Sequence, residues 1–189
     1  MIAQSSVPSA KLDAFPVFMR VEGRLVVIVG DSDEALAKAR LIAQSSAAIR
    51  IVAADPAPAL ERWAAASDAE LLREAFSPVH VEAAALVFAA SGDAAFDARV
   101  VAAARHAGIP ANAVDRPELC DFFTPALVNR APVAVAVGTE GAGPVLAQMI
   151  RARIDRILPP SLGRLASLAA AFREAAERLL PRGAPRRAF

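Results

Sequence analysis

Residues 25–29 read LVVIV, an unbroken apolar run dominated by β-branched side chains. A strand with no polar alternate positions is one covered on both faces, as in a parallel sheet flanked by helices. Gly30 follows at once, and DSDEALAKAR then places Ala35, Leu36, Ala39 and Ile42 on one side of a helix. The spacing predicts that helix from Asp33 or Glu34 to about Gln44. Strand, glycine turn and helix in immediate succession are how a dinucleotide-binding unit begins.

The pattern recurs downstream. IRIVA (49–53) is a second strand, and Pro56 and Pro58 prevent it from extending because proline cannot donate to a ladder. A helix is expected over 58–66, a weaker strand over 70–75 and a buried strand at ALVFAA (85–90). DAAFDARVVAAARHAG predicts a helix stopping on Gly108, and IPANAV (109–114) a short strand. Strands alternating with helices over this length imply βαβ units and a Rossmann-like α/β domain with a parallel sheet, over residues 1–113. After Asp115 the pattern changes. RPELCDFFTPALVNRAP holds three prolines without a clear period and is read as an ordered excursion from the sheet. VAVAV (133–137) is a strand again, GTEGAGP leads into a helix from about Pro144 to Ile157, and Pro159 and Pro160 break the chain. A last amphipathic helix is expected from Ser161 to about Leu180.

Apolar residues make up 56% of the 189 and charged residues 22%, so a packed core is readily supplied. No apolar run approaches the eighteen or so residues of a membrane span, and the first residues lack the features of a secretion signal. The single cysteine, Cys120, excludes an internal disulfide framework. These features lead to an expectation of a soluble, cytoplasmic protein without membrane partners. Net charge is +1, yet nine arginines against three acids follow position 150. That basic segment reads either as solvated helix faces or as attraction to an acidic partner. Few aromatics accompany it, which argues against nucleic acid.

The turn itself is Gly30-Asp31-Ser32-Asp33-Glu34-Ala35. Gly30 can make the tight turn and Ala35 the close helix–strand packing, but Ser32 stands where a second glycine would admit a pyrophosphate. Its hydroxyl can donate to phosphate. Asp31 and Asp33 oppose it: a carboxylate about 4 Å from a phosphate oxygen costs roughly 1 kcal/mol in water-like surroundings and about 4 at an effective dielectric of 20. A plain βα turn with Asp33 capping the helix is the competing reading. Candidate cofactor contacts are therefore Gly30, Ser32, Asp33 and Glu34, with Ala54 and Asp55 at the end of the second strand and Ser91 after the fourth. Asp55 suits a ribose hydroxyl or the turn before Pro56. His80, His106 and Cys120 have no metal-ligand spacing, and Cys120 reads more readily as a small buried hydrophobe than as a nucleophile.

The most specific pattern lies further on: Asn112-x-x-Asp115, Cys120-Asp121-Phe122, Pro125-Ala126, Arg130, Pro132, then Gly141-x-x-Pro144-Val145-Leu146-Ala147 and LPPSLGRL. With FPVFMRVEGRLVVIVG upstream, residues 14 to 180 resemble the precorrin-2 dehydrogenase/sirohydrochlorin ferrochelatase family, the amino-terminal module of siroheme synthase. The resemblance implies NAD-dependent oxidation of precorrin-2 to sirohydrochlorin in siroheme biosynthesis, and in bifunctional members insertion of substrate Fe²⁺ to give siroheme. It also implies a homodimer, with a small α/β dimerisation region at 114–150 and a C-terminal helical region at 151–189. Full siroheme synthases continue into a methyltransferase module, so this chain is expected to be a stand-alone member or the front portion of a longer protein.

By the same resemblance Asp115 is the catalytic carboxylate. Placed after a strand at the carboxyl edge of a parallel sheet, it can act as a general base, or simply form the turn before Arg116-Pro117. Substrate contacts are expected from Asn112, from Arg130 toward the substrate's carboxylates, and from Thr139, where some members carry a phosphorylated serine. The chain departs from the family in its single-glycine turn and in Ser91-Gly92-Asp93 for the usual Thr-Asp-Asp. Those departures keep a second possibility open: a tetrapyrrole-binding or dimerisation module that has lost NAD.

Overall fold

The computed structural model describes residues 11–179, with side chains to residue 173. The expected absence of a secretion signal at the amino terminus, the last residue of the final helix and the tail arginines Arg182, Arg186 and Arg187 lie outside the described residues. The chain divides into two compact units, Met1–Phe123 and Thr124–Phe189.

In the first unit the strands are β1 (Leu25–Val29), β2 (Ala48–Val52), β3 (Glu70–Leu72), β4 (Leu86–Ala89) and β5 (Ala111–Ala113). All pair in parallel, in the order β3-β2-β1-β4-β5. Helices α1 (Asp33–Ile42), α2 (Pro58–Ala65) and α3 (Ala94–His106) connect them. The apolar run of β1 is explained directly. Val26 and Ile28 pack on one face with Leu36, Ile51, Leu60 and Phe88, while Val27 and Val29 pack on the other with Val87, Val100 and Val101. Alternate side chains of a strand point to opposite faces, so a doubly covered strand needs apolar residues throughout. Each fully buried side chain of this size contributes about 1.5–3 kcal/mol relative to exposure.

The helix ends follow local chemistry. Ser32, not Asp33, caps α1: its backbone is extended and its hydroxyl accepts from the Glu34 N–H at 3.3 Å. Asp93 caps α3, accepting from the Phe96 N–H at 2.6 Å. Gly108, at φ 71°, ends that segment in the left-handed conformation glycine adopts freely.

Residues 114–123 belong with the sheet, so the first unit continues past the expected boundary at 113. The Asp121 N–H donates to the Ala111 carbonyl, and the Asp121 carboxylate accepts from the Ala111 N–H. Phe122 meets the buried Phe88 edge-on, with ring centroids 5.4 Å apart. These contacts stitch the excursion back to β4 and β5.

The second unit holds a strand not foreseen from the prolines, β6 (Ala126–Arg130), paired antiparallel with β7 (Val133–Val137). β7 is thus part of a separate hairpin, closed by Ala131 and Pro132. Helices α4 (Pro144–Ile157) and α5 (Leu162–Leu179) complete the unit. Gly163 explains one part of LPPSLGRL: a Cβ there would lie 2.6 Å from the Arg130 carbonyl oxygen and closer still to that of Ala131. Only glycine lets the start of α5 meet the hairpin turn this closely.

Candidate functional site

In an open parallel sheet, ligands sit beyond the carboxyl ends of the strands where the strand order reverses. Here that point lies between β1 and β4, and it gathers Gly30, the start of α1, and Ala90 and Ser91. Gly30 is buried, and a side chain there would collide with the Ala90 carbonyl. The Ser32 hydroxyl, besides capping α1, lies 3.5 Å from the Ala90 oxygen, to which it donates. It is thereby committed to the fold. Asp31 and Asp33 are exposed and Glu34 is half-buried. Solvent around both aspartates keeps their repulsion of a phosphate near the weak, water-like limit. Beyond β2, Ala54 and Asp55 are both exposed, and the Ala57 N–H donates to the Asp31 carbonyl, tying this end to the glycine turn. A tight glycine turn, a helix start and an exposed carboxylate on the adjacent strand end fit a dinucleotide. Ser32 is the one element a second glycine would open further.

Asp115 lies at the same carboxyl edge, immediately beyond β5. It occupies a reverse turn closed by the Arg116 N–H and the Ala113 carbonyl at 3.3 Å, and its φ is 57°. Left-handed backbone is uncommon for a residue with a side chain, although aspartate is among those that tolerate it. Its side chain is exposed.

Lys38 of α1 was not singled out by sequence, and it is part of this neighbourhood. It is half-buried, with Nζ 6.0 Å from the Phe88 ring centroid. Burial pushes its ammonium below the usual lysine range, against the opposing pull of the negative charges on Asp115 and Glu34. A lysine inside ALAKAR reads as a solvated helix position, and only the packing of α1 over Phe88 reveals otherwise.

Asn112 is buried, with its amide donating to the Phe122 carbonyl at 2.8 Å and to the Cys120 sulfur at 3.2 Å. The structure places it as a brace for residues 120–122 rather than in the open. Cys120 in turn donates to the carbonyls of Ala113 and Arg116. Burial pushes its thiol up, outweighing the hydrogen bond to Ala113; a neutral thiol is a poor nucleophile.

Ser91, expected at the cofactor, gives its hydroxyl to Asp97 at 2.7 Å, and its N–H donates to the same carboxylate oxygen at 3.1 Å. Asp97 and its other partner, Arg116, also escaped the sequence reading. A signal existed: Asp97 shares a spacing of three, four and seven residues with the buried Val100, Val101 and Ala104. A carboxylate on an apolar stripe marks a buried charge.

Arg130 and Thr139 lie in the second unit. The guanidinium of Arg130, expected to meet substrate carboxylates, instead donates to the Leu158 and Asp155 carbonyls and to the Asp155 carboxylate at 2.8 Å. It clamps the end of α4 to β6. Thr139 Oγ1 accepts from the Gly143 N–H at 3.3 Å and so shapes the loop before α4. Among the described residues no cluster of three or more His, Cys, Asp or Glu could hold a metal ion. A shallow cavity of about 310 Å³, lined by Arg105, Gly108, Ile109, Pro110 and Asp121, opens at the amino end of β5, away from the ligand edge.

A family model described as "Putative NAD(P)-binding" matches residues 17–126. The siroheme synthase of Azotobacter vinelandii is 40% identical over 178 residues, covering 94% of this chain and 38% of its own length. Those of Methylobacillus flagellatus and Pseudomonas aeruginosa PAO1 are 38% and 40% identical over the same share. This chain therefore spans well under half the length of the curated relatives it matches. Among solved structures, SirC, a precorrin-2 dehydrogenase, superposes with a TM-score of 0.77 over 92% of this chain and 86% of its own, at 20% identity. That similarity shows a shared fold.

Proposed function

The chain belongs to the NAD(P)-binding family whose model spans residues 17–126, and on that premise we propose that it is an NAD-dependent dehydrogenase oxidising precorrin-2 to sirohydrochlorin. The observation that carries this reading is the placement of Asp115. It is an exposed carboxylate at the carboxyl edge of β5, one strand from the switch point where the glycine turn lies. Identity of 40% to siroheme synthases across 94% of the chain supports the choice of substrate.

NAD, when bound, supplies the hydride acceptor. The chain's own residues hold it and manage the proton. Gly30 lets the chain turn away from β1, the start of α1 offers the backbone of Ser32, Asp33 and Glu34, and Asp55 with Ala54 offers a carboxylate and backbone for the ribose. Ser91 contributes through the β4 end. Oxidation of the macrocycle releases a proton as well as a hydride, and Asp115 takes that proton as general base. Lys38 places positive charge in the neighbourhood of that carboxylate. The same carboxylate serves removal of a pyrrole proton if Fe²⁺ is inserted, which makes ferrochelatase activity a second proposed reaction of this site.

The homodimer belongs to the proposal too. Val145, Met149, Ile157, Leu165 and Leu168 of α4 and α5 are all more than half exposed in the single chain. Large apolar side chains left open in such number mark an interaction surface. No helix among the described residues is long and apolar enough to cross a membrane, which is compatible with a cytoplasmic site of action.

The test is direct. Purified full chain is mixed with precorrin-2 and NAD, and sirohydrochlorin absorbance is followed; Asp115→Ala should lower kcat by about 10²–10⁴-fold. Equal turnover by Asp115→Ala would remove the assigned base. The hydroxyl of Ser32 and the flanking acids favour one second reading, a tetrapyrrole-binding module without NAD. Calorimetric titration separates the two, since NAD binding with a submillimolar Kd excludes that module.

A further inference from the structure

Asp97 is fully buried, 0% exposed, on the inner side of α3. A carboxylate in such a place is tolerated only when its charge and lone pairs are satisfied, and a well-packed apolar substitute is often as stable or more so. Stability alone therefore gives no reason for an acid here. Its partners are informative. One oxygen accepts from the N–H and hydroxyl of Ser91; the other accepts from Arg116 Nη1 at 2.6 Å. The Arg116 guanidinium then donates to the carbonyl of Val114 at 3.2 Å and to that of Gly92 at 2.9 Å. Every one of these groups lies in the loop after β4 or in the turn after β5.

Asp115 sits between the two residues of that turn which the network grips. Val114 is held from both sides, its N–H donating to the Ala89 carbonyl at 2.9 Å and its carbonyl accepting from Arg116. Arg116 is held by its side chain. The left-handed backbone of Asp115 between them is uncommon for a residue with a side chain, and the two gripped neighbours hold it in place. We infer that the buried Asp97–Arg116 pair is a positioning device for the precorrin-2 oxidation, holding the Asp115 carboxylate in register with the cofactor edge at Ser91. Neither residue touches substrate; both act through Asp115. The inference rests on the reading of Asp115 as the base.

The test is a double-mutant cycle on the full chain. Asp97→Asn with Arg116→Gln removes both charges together, so no unpaired ion is left in the core. With precorrin-2 and NAD saturating, this variant should lose about tenfold or more in kcat while its Kd for NAD stays within about threefold of wild type. In an Asp115→Asn background the same two changes should alter the residual rate by less than about twofold, because groups that act through one another are not additive. Equal losses in both backgrounds, or a wild-type kcat in the first, would overturn the inference while leaving Asp115 as base intact. Should the double variant fail to fold, Arg116→Lys keeps the charge and loses the fork. A kcat loss with an unchanged melting temperature supports positioning, and an unchanged kcat overturns it. If Asp115→Asn itself turns over normally, the assigned base and the positioning role fall together.

Discussion

Gly30 and Ala90, at the ends of β1 and β4, approach so closely that any side chain on Gly30 would run into the Ala90 carbonyl oxygen. The obstacle is backbone and cannot swing aside. Gly30→Ala must therefore push the first βα turn away from β4. Overpacking of this kind typically costs about 1–3 kcal/mol. The expected outcome is a lower urea midpoint together with weakened NAD binding, because the displaced turn is the one that admits the cofactor. Unchanged stability with lost NAD binding would mean that the turn meets cofactor without being packed against β4.

Two substitutions at Ser32 separate its roles. Ser32→Ala removes the cap of α1 and should cost about 0.5–2 kcal/mol, whereas Ser32→Gly should cost only a few tenths. Ser32→Gly also restores the small residue that lets backbone approach a pyrophosphate. NAD should bind Ser32→Gly more tightly than wild type at nearly equal stability, read by calorimetry and thermal melts. A weaker Kd in that variant would identify the serine hydroxyl as a phosphate donor instead of an obstruction.

The contrast between Ser32 and β1 shows what was legible in the sequence. β1 could be read because a strand buried on both faces leaves an unbroken apolar run, a signal contained in five residues. α4 was equally plain, bounded by Pro144 and by Pro159. β6 was not legible: its partner is β7, and Ala131-Pro132 is not one of the glycine-containing pairs that announce a tight hairpin. Asp33 looked like the cap because aspartate and serine cap equally well, and only the extended backbone at Ser32 decides between neighbours. Arg130 carried a charge suited to substrate carboxylates, but nothing local reveals that Asp155, 25 residues later, returns to claim it. Asp115 emerged from motif, and Lys38, Asp97 and Arg116 from packing alone.

Lys38 should show a conflict between stability and activity. Burial disfavours its protonated form in the folded chain, so folding at neutral pH carries a desolvation cost that the unfolded chain avoids. Above the unfolded lysine value of about 10.4 both states are neutral and the cost vanishes. Lys38→Met keeps the stem and removes the charge. It should be at least as stable as wild type at pH 7, with the difference shrinking as pH nears about 10. Precorrin-2 oxidation should fall, since the cation beside Asp115 is lost. Thermal melts across that range, with turnover at pH 7, check both limbs; a variant less stable at pH 7 than at pH 10, relative to wild type, reverses the sign and defeats the assignment.

Asp121 offers the opposite pH dependence. Burial alone would raise its carboxyl, but hydrogen bonds from Arg105 and from the Ala111 N–H, with the Arg105 charge, outweigh it and hold the group below the usual carboxylate range. Those bonds are 2.8 Å from Arg105 Nη2 and 3.0 Å from the Ala111 N–H. A depressed carboxyl contributes stability that is fully present above the unfolded value of about 3.9 and is lost as pH falls through the folded value. β5 is an edge strand, and Ala111 is fully buried, so Asp121 is what satisfies that backbone N–H. Asp121→Ala should orphan it, at about 1–3 kcal/mol. Urea denaturation at pH 7 should therefore show a clear loss for Asp121→Ala, and the gap to wild type should narrow progressively below about pH 4. A gap that is constant down to pH 2 would place the contribution in packing rather than in the ionised carboxylate.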